Sequence, residues 1–233
     1  MQKKGEGEKI DTTLNETPQV VGTPVRPDSE GRHMKTDLLL SIQAMREIRH
    51  ATEMREKAFA MREKARETRL RLWLNRLNRE RCHNCRYTAL EHCLDAAISV
   101  ASADYANIQL VHASGRGLEL KVQRGFSDAF LNFFEYVENR DTACGVAFAS
   151  GQPITVEDVA CSEIFAETEG LHVVLDAGVR SVRSIPLLVQ RGHILGVLSV
   201  HYRKPTAHVD SDVKRLQKLA GAVAVLIERE PRF

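Results

Sequence analysis

Aromatic residues, long apolar runs and an excess of one charge are all scarce in this sequence of 233 residues. The aromatic content is 6% and the formal net charge is +2, so the chain lacks the strong basic field of a dedicated nucleic-acid-binding protein. No run approaches the ~18 consecutive apolar residues that a membrane span requires, and the Met-Gln-Lys-Lys-Gly start lacks the apolar segment of a secretory signal. We therefore expect a cytoplasmic protein that has neither a membrane nor a nucleic acid as its partner.

Cysteine is sparse and odd in number, since the five cysteines are Cys82, Cys85, Cys93, Cys144 and Cys161. Their number and uneven spacing argue against a secreted disulfide framework and favour reduced thiols. Apolar residues are plentiful by comparison, at 43% of the chain, which is enough for the core of one ordinary domain.

Composition divides the chain into three regions. Residues 1–35 contain Gly and three Pro but no apolar periodicity, and we predict a disordered leader there. Residues 36–86 contain neither Gly nor Pro and are rich in strong helix formers, which predicts one long charged helix. Residues 87–233 mix helical and strand periods and are expected to form the folded domain.

The predicted long helix carries a partial coiled-coil pattern. The sequence Met-Arg-Glu-Lys-Ala occurs at Met54 and again at Met61, seven residues apart, but the apolar seam is interrupted by Lys57 and Lys64. We therefore expect modest pairing of two copies into a homodimer. Lys and Arg outnumber Glu by thirteen to six from position 46 to 86, and because aromatics are nearly absent we interpret this as a solvated helix face.

Hairpins dominate the predicted folded domain. Alternating apolar residues predict five strands, at residues 106–112, 118–124, 153–157, 181–190 and 194–202, with Arg191-Gly192 as a two-residue turn. Helical spacing predicts helices at 87–103, after a Ser127 cap, after Cys144, and from Asp210 or Ser211 to Arg229. Residues 161–176 are expected to be a loop with turns. The sequence thus predicts an α+β fold with an antiparallel central sheet of five or six strands flanked by helices and preceded by the long helix.

Several segments in this order resemble the GAF domain, a sensory module of bacterial signal transduction that accompanies PAS domains and histidine kinases. They include "LKVQRGFSDAFLNFF", "ACGVAFASGQPITVEDV", "GVRSVRSIPLL" and "GHILGVLSVHYRKP". The resemblance implies a ligand pocket on one face of the sheet and the first and last helices on the other. It also implies that output passes through a signalling partner protein or the N-terminal helix, because no output domain is expected in the sequence.

The sequence lacks residues on which several known activities of the family depend. The Asn-Lys, Phe and Asp-Glu constellation of cyclic-nucleotide-binding members and the Cys-His pair of bilin-binding members have no counterpart here. Members that reduce free methionine sulfoxide have a cysteine in a segment like Ala143-Cys144-Gly145, but their second cysteine is missing from "LDAGVRSVRS". We therefore expect no catalytic residues.

Cys144 has two interpretations. At the second position of a helix capped by Thr142, helix amides would favour its thiolate. Free cysteine is, however, among the most often buried residues, and no base is placed beside it by the sequence, so we interpret Cys144 as part of a pocket wall. The candidate ligand-binding residues are apolar side chains near residues 141–176, which we call the cover: Phe126, Phe130, Cys144, Phe148, Val156, Phe165 and Leu171.

Cys82, Cys85, His92 and Cys93 form a weak candidate metal site. A Cys-x-x-Cys pair followed by His-Cys could contribute to tetrahedral zinc, but the second pair of a zinc motif is absent. A helix contact explains the cluster equally, and we predict no metal.

The preferred hypothesis is a non-enzymatic regulatory protein that senses an unknown small-molecule ligand and dimerises through its helix. The alternatives are a cysteine-based redox enzyme or thiol switch that uses Cys144 with Cys161 or the Cys82–Cys85 pair, and a sensor that binds metal or haem. The sequence names neither the ligand nor a cofactor.

Overall fold

The computed structural model describes residues 29–79, 86–138, 140–207 and 209–229. Its α-helices are α1 (Ser29–Arg79), α2 (Arg86–Ala101), α3 (Asp128–Phe134), α4 (Ala143–Ser150), α5 (Glu169–Asp176) and α6 (Asp210–Arg229). Its strands are β1 (Tyr105–Val111), β2 (Leu118–Arg124), β3 (Tyr136–Val137), β4 (Ile154–Val156), β5 (Ser181–Leu188) and β6 (Ile194–Tyr202). Among the helices described, none is both long and apolar enough to cross a lipid bilayer.

The helix α1 begins seven residues before the predicted start at Thr36. Gly31, which favoured a later start, lies within the helix, because one glycine lowers helix stability by only ~1 kcal/mol. The chain divides into two compact units at Arg55 and Glu56. All residues from 38 to 62 are exposed, whereas Leu70 is buried.

The six strands form one antiparallel sheet in the order β3-β2-β1-β6-β5-β4. The predicted hairpins are present, since β1 pairs with β2 and β5 pairs with β6. The central contact joins β1 to β6, with Asn107 opposite Ser199 and Tyr105 opposite His201. This pairing of distant segments places both hairpins in one sheet and confirms the predicted α+β fold.

Helices cover both faces of the sheet. Buried residues of α2 and α6, together with Leu70 of α1, pack against the face that presents Ile108, Leu198 and Val200. Buried residues of α3, α4 and α5 pack against the opposite face. Because successive side chains of a strand point to opposite faces, the central strands contribute to both cores. The first and last helices of the domain therefore lie on one face, as the resemblance implied.

Local sequence explains the ends of α4. The Thr142 side chain accepts a hydrogen bond from the backbone N–H of Gly145, which satisfies one of the free amides of the first turn. Gly151 ends the helix in the left-handed conformation, with φ +67°, and its N–H donates to the carbonyl of Ala147. A residue with a side chain would be strained at this position.

Three local predictions differ from the structure. Residues 161–176 are not a loop with turns throughout, because Thr168 caps the helix α5 with a hydrogen bond to the Leu171 N–H. The β5–β6 connection is a short 3-10 helix over Gln190–Gly192 instead of a two-residue turn. Ser127 stands before α3 but makes no capping hydrogen bond with its side chain.

Candidate functional site

A small cavity lies between the sheet and the helices α3, α4 and α5. Its volume is about 20 Å³, which is room for roughly one water molecule. The lining side chains are contributed by three strands, these helices and their connections: Asn107, Phe130, Phe134, Thr142, Ala143, Cys144, Phe165, Val174, Val179, Val182, Ser184, Ser199 and His201. The cavity therefore has a sheet floor and a helical cover.

The floor is polar although it is buried. Asn107, Ser199 and Ser184 lie side by side on β1, β6 and β5, and each is 3% exposed or less. The two serine hydroxyls are 2.8 Å apart, and His201 Nε2 lies 2.9 Å from Asn107 Oδ1. Hydrogen bonds within the floor therefore satisfy much of its polarity, which is the usual condition for burying polar groups.

His201 is the one histidine among the residues that line the cavity. Burial lowers its pKa to about 3, because the charged ring would lose its hydration. The ring is therefore neutral at pH 7. Its second nitrogen, Nδ1, is buried and has no hydrogen-bond partner among the described residues.

A row of aromatic rings runs along one side of the cavity, where Phe130 and Phe134 belong to the lining. Phe126, Phe130 and Phe134 are four residues apart and therefore share one side of α3 and the turn before it. Their ring centroids are 3.8 Å apart for Phe126–Phe130 and 4.4 Å apart for Phe130–Phe134. Phe126 also stacks on Tyr105, and its ring is nearly perpendicular to that of His201, with ring centroids 4.9 Å apart. The row thus connects α3 to the floor.

Cys144 occupies the second position of α4, behind the Thr142 cap. Its Sγ lies 3.3 Å from Thr142 Oγ1, and the residue is 6% exposed. Burial raises the pKa of the Cys144 thiol, and the opposing effects of the Thr142 hydroxyl and the helix amides are smaller. The geometry therefore favours the neutral thiol over a thiolate.

The seven predicted ligand-binding residues are divided by the structure. Phe130, Cys144 and Phe165 line the cavity. Val156 is buried in the same core, and Phe126, Phe148 and Leu171 are half-buried against it, but these four do not line the cavity. The predicted set consists of apolar side chains and Cys144 and omits the polar residues Asn107, Ser184, Ser199 and His201 of the floor.

The polar floor was missed by the sequence analysis. In β1 and β6, Asn107, Ser199 and His201 alternate with buried apolar residues, a pattern that normally predicts one solvent-facing side of an antiparallel strand. The one sequence signal for burial was length, because the chain between β2 and β5 is long enough to cover that side of the sheet. Only the tertiary structure shows that α3, α4 and α5 do so.

The structure describes only two of the four weak candidate metal residues. Cys82 and Cys85 lie outside the described residues. His92 and Cys93 lie on α2, where the Cys93 Sγ contacts the Ala89 carbonyl oxygen at 2.9 Å and the His92 carbonyl accepts a bond from Trp73. Within the described residues, no group of three or more His, Cys, Asp or Glu side chains could hold a metal ion.

A buried ion pair lies directly behind the floor. Arg183 stands between Val182 and Ser184 on β5 but points to the opposite face, with an exposure of 0%. Its Nη1 lies 3.1 Å from Asp212 Oδ2 on α6 and also donates to the Tyr202 hydroxyl, and its Nη2 donates to the Ala207 carbonyl. The sequence signal for this pair was that Arg183 shares one face of β5 with the apolar residues Ile185 and Leu187.

The ion pair extends to the first helix. Asp212 also binds Arg215 and lies 3.2 Å from Arg66 Nη1, while Arg215 Nη1 lies 2.6 Å from Glu63 Oε2 on α1. Hydrogen bonding by Arg215 lowers the pKa of Glu63, which keeps that carboxylate ionised. We call these five residues, Glu63, Arg66, Arg183, Asp212 and Arg215, the Asp212 network. It connects α1, α6 and the strand that forms part of the cavity floor.

Solved structures with the same architecture come from several bacterial proteins. The GAF domain of a phosphoenolpyruvate-protein phosphotransferase from Coxiella burnetii has a TM-score of 0.59 at 14% identity, over 72% of this chain and 96% of that chain. Free methionine-R-sulfoxide reductase from Neisseria meningitidis, solved with its substrate, has a TM-score of 0.57 at 18% identity, over 71% and 90%. A domain of a protein classed as a two-component sensor histidine kinase from Sinorhizobium meliloti 1021 has a TM-score of 0.50 at 22% identity, over 60% and 89%. At these identities the likeness shows the fold.

A sequence comparison gives the family directly. No functionally curated protein matches the chain. Residues 86–227, which include every residue that lines the cavity, match the family model described as GAF domain. The match covers more than half of the sequence, and the chain belongs to the GAF domain family.

Proposed function

We propose that this chain is a sensory protein that binds a small molecule in the cavity and passes the binding event to its helices. The observation that carries this proposal is the buried polar floor of Asn107, Ser184, Ser199 and His201 beneath the cover. Burying polar groups costs free energy that apolar side chains would not cost. Convergent polar groups in a mostly apolar pocket are typical of ligand sites.

The setting of similar domains supports a signalling role. The protein from Sinorhizobium meliloti is classed as a two-component sensor histidine kinase, and a similar protein from Geobacter sulfurreducens combines a GAF domain with an HD domain. By analogy, we propose that this chain also reports to an output, through a signalling partner protein. Fold-level analogy is the basis of this step.

The Asp212 network is the proposed route from the cavity to the helices. Val182 and Ser184 line the cavity, and Arg183 between them holds Asp212 on the other face of the same strand. A ligand that shifts this strand would therefore change the Arg183–Asp212 contact, and with it the link from Arg215 to Glu63 on α1. Such a ligand shifts the population of helix arrangements only as far as its affinities for them differ.

The exposed part of α1 is the proposed contact between two copies of the chain. Leu38, Ile42 and Met45 share one side of the helix and are 61%, 39% and 65% exposed. Most helical stability in proteins comes from packing of an apolar face, so a long helix without buried residues from 38 to 62 favours a partner helix. The seven-residue spacing of Leu38 and Met45 fits a coiled coil with a second copy.

A regulatory role is preferred to a catalytic one because the buried Cys144 has a raised pKa. The exposed thiol of Cys161 is typical of a reducing compartment, which supports the cytoplasm as the site of action. An assay for reduction of free methionine sulfoxide, with Cys144→Ser as the control, tests the alternative. Activity that disappears in Cys144→Ser would replace sensing with thiol chemistry.

The sensing proposal is tested with a screen of metabolites, nucleotides and haem by thermal shift. A ligand at 100 times its Kd raises the free energy of unfolding by about 2.7 kcal/mol, which gives a clear increase in Tm. We expect at least one compound to do so and to perturb the amide resonances of Asn107, Ser184 and Ser199 in NMR spectra. A screen without any such compound would count against sensing and favour a structural role for the domain.

A further inference from the structure

The hydrogen bonds of His201 determine which of its nitrogens can receive a ligand. The amide oxygen of Asn107 can only accept, so the Nε2 atom at 2.9 Å from it carries the proton. In a neutral ring, Nδ1 is then an acceptor with a free lone pair. This nitrogen is buried and has no hydrogen-bond partner among the described residues, and the side chain lines the cavity. The cavity lining thus contains one buried acceptor that requires a donor.

Charge is absent from the lining. The thirteen described residues around the cavity include amide, hydroxyl, thiol and imidazole groups but no Lys, Arg, Asp or Glu. An ion that entered would lose its hydration without meeting a counter-charge, which strongly disfavours its binding. Arg183, which stands between the lining residues Val182 and Ser184, is paired with Asp212 of α6 and does not line the cavity. The site therefore discriminates against anions and cations.

We propose that the cavity binds a small uncharged organic molecule that has an apolar body and one N–H or O–H group. That group donates a hydrogen bond to His201 Nδ1. This inference rests on the proposed sensing function and narrows its ligand. The rings of Phe130, Phe134 and Phe165 contact the apolar body, and the Ser184 and Ser199 hydroxyls provide further polar contacts at the floor. Phosphorylated nucleotides and carboxylates are excluded as ligands by the same argument.

The cover must move for such a ligand to enter, because the closed cavity holds roughly one water molecule. Phe165 is the cover residue best suited to test this. It lies between a short 3-10 helix, Val159–Cys161, and α5, and it lines the cavity. In Phe165→Ala the lost ring leaves a cavity that the surroundings close only in part, and engineered apolar cavities of that kind bind ring compounds. Ligand chemistry can then be measured without knowledge of the native ligand.

Three probes of similar size separate the chemical classes: phenol is neutral with a donor, toluene is neutral without one, and benzoate is an anion. Transfer from water favours toluene over phenol, so a preference for phenol requires a hydrogen-bond acceptor in the site. We expect Phe165→Ala in the full chain to bind phenol about 3- to 10-fold more tightly than toluene, and benzoate not at all. Phenol should also shift the nitrogen-15 resonance of His201 Nδ1.

Phe148→Ala is the matched control. Phe148 is half-buried against the same core but does not line the cavity, so phenol should leave the His201 resonance of this variant unchanged. If Phe165→Ala does not fold, Phe165→Val makes the same comparison with a smaller space.

The outcomes separate this inference from the sensing proposal. Equal or tighter binding of toluene, binding of benzoate, or binding of none of the probes would overturn the inference about the ligand. The sensing proposal would stand in each case if the unmodified protein binds any compound in the broad screen. A charged compound from that screen that perturbs the floor would also overturn the inference while supporting sensing.

Discussion

At the scale of single residues, the buried His201 imidazole makes the stability of the fold depend on pH. Its pKa is about 3 in the folded protein and returns to the ordinary value near 6.5 when the chain unfolds. Between these two values the unfolded state binds a proton that the folded state does not, so stability rises with pH. The stabilisation is complete above about pH 6.5 and is lost as the pH falls.

We expect the free energy of unfolding to decrease by about 2 kcal/mol from pH 7 to pH 5 through this group alone. Urea unfolding at several pH values measures it. In His201→Gln that contribution should disappear, whereas His172→Gln, a change at an exposed histidine, should keep it. A variant at position 201 with an unchanged pH profile would contradict the assignment of the neutral ring. Below about pH 4.5 carboxylates such as Glu63, with its lowered pKa, add to the loss.

Cys144 and Cys161 should differ strongly in reactivity. Cys161 is exposed, while Cys144 is buried with a raised thiol pKa, so an aromatic disulfide reagent should modify Cys161 first and Cys144 only on opening of the fold. Comparison of the reaction rates of Cys144→Ser and Cys161→Ser in native buffer measures the difference. Rapid reaction of Cys144 in the Cys161→Ser variant would revive the thiol chemistry alternative.

At the scale of elements, the Asp212 network joins α1 and α6 to the strand β5. Asp212 is the shared acceptor of Arg183, Arg215 and Arg66. In Asp212→Asn the guanidinium groups of Arg183 and Arg215 stay buried without this counter-charge, and removal of one partner from a buried ion pair costs about 3 kcal/mol or more. We expect a decrease of that size in the free energy of unfolding by urea titration.

An exposed ion pair between the same two helices provides the control. Glu67 on α1 contacts Lys218 on α6 at 3.2 Å, and both side chains are more than half exposed. Glu67→Gln should therefore change stability by less than about 1 kcal/mol. Equal effects of the two substitutions would show that burial does not determine the contribution of the network.

The strands and helices differ in how much the sequence specified them. The hairpins β1–β2 and β5–β6 and the last helix were predicted, because alternation, turn residues and helical spacing are local signals. The helix α5 was not predicted, although Thr168 caps it and Leu171, Val174 and Leu175 follow at helical spacing. The strand β3 was also missed, since two residues carry no measurable period.

At the scale of the whole molecule, two copies of the chain should associate through α1. Met45→Glu places a charge on the side that carries Leu38 and Ile42, and should convert a dimer into a monomer at micromolar concentration. Light scattering coupled to size-exclusion chromatography measures the mass. Leu40→Glu is the matched control, because Leu40 is 60% exposed on the opposite side of the same helix and should leave the dimer intact. Loss of the dimer in both variants would instead indicate an unstable helix.

The sequence by itself determined the fold class and the hairpins β1–β2 and β5–β6, because these follow from periodicity and local residue preferences. Only the tertiary structure decided that the polar sides of β1 and β6 face a cavity and that Arg183 meets Asp212. The physical reason is that strand alternation states which side chains share a face, whereas burial of that face depends on helices that are far away in the sequence.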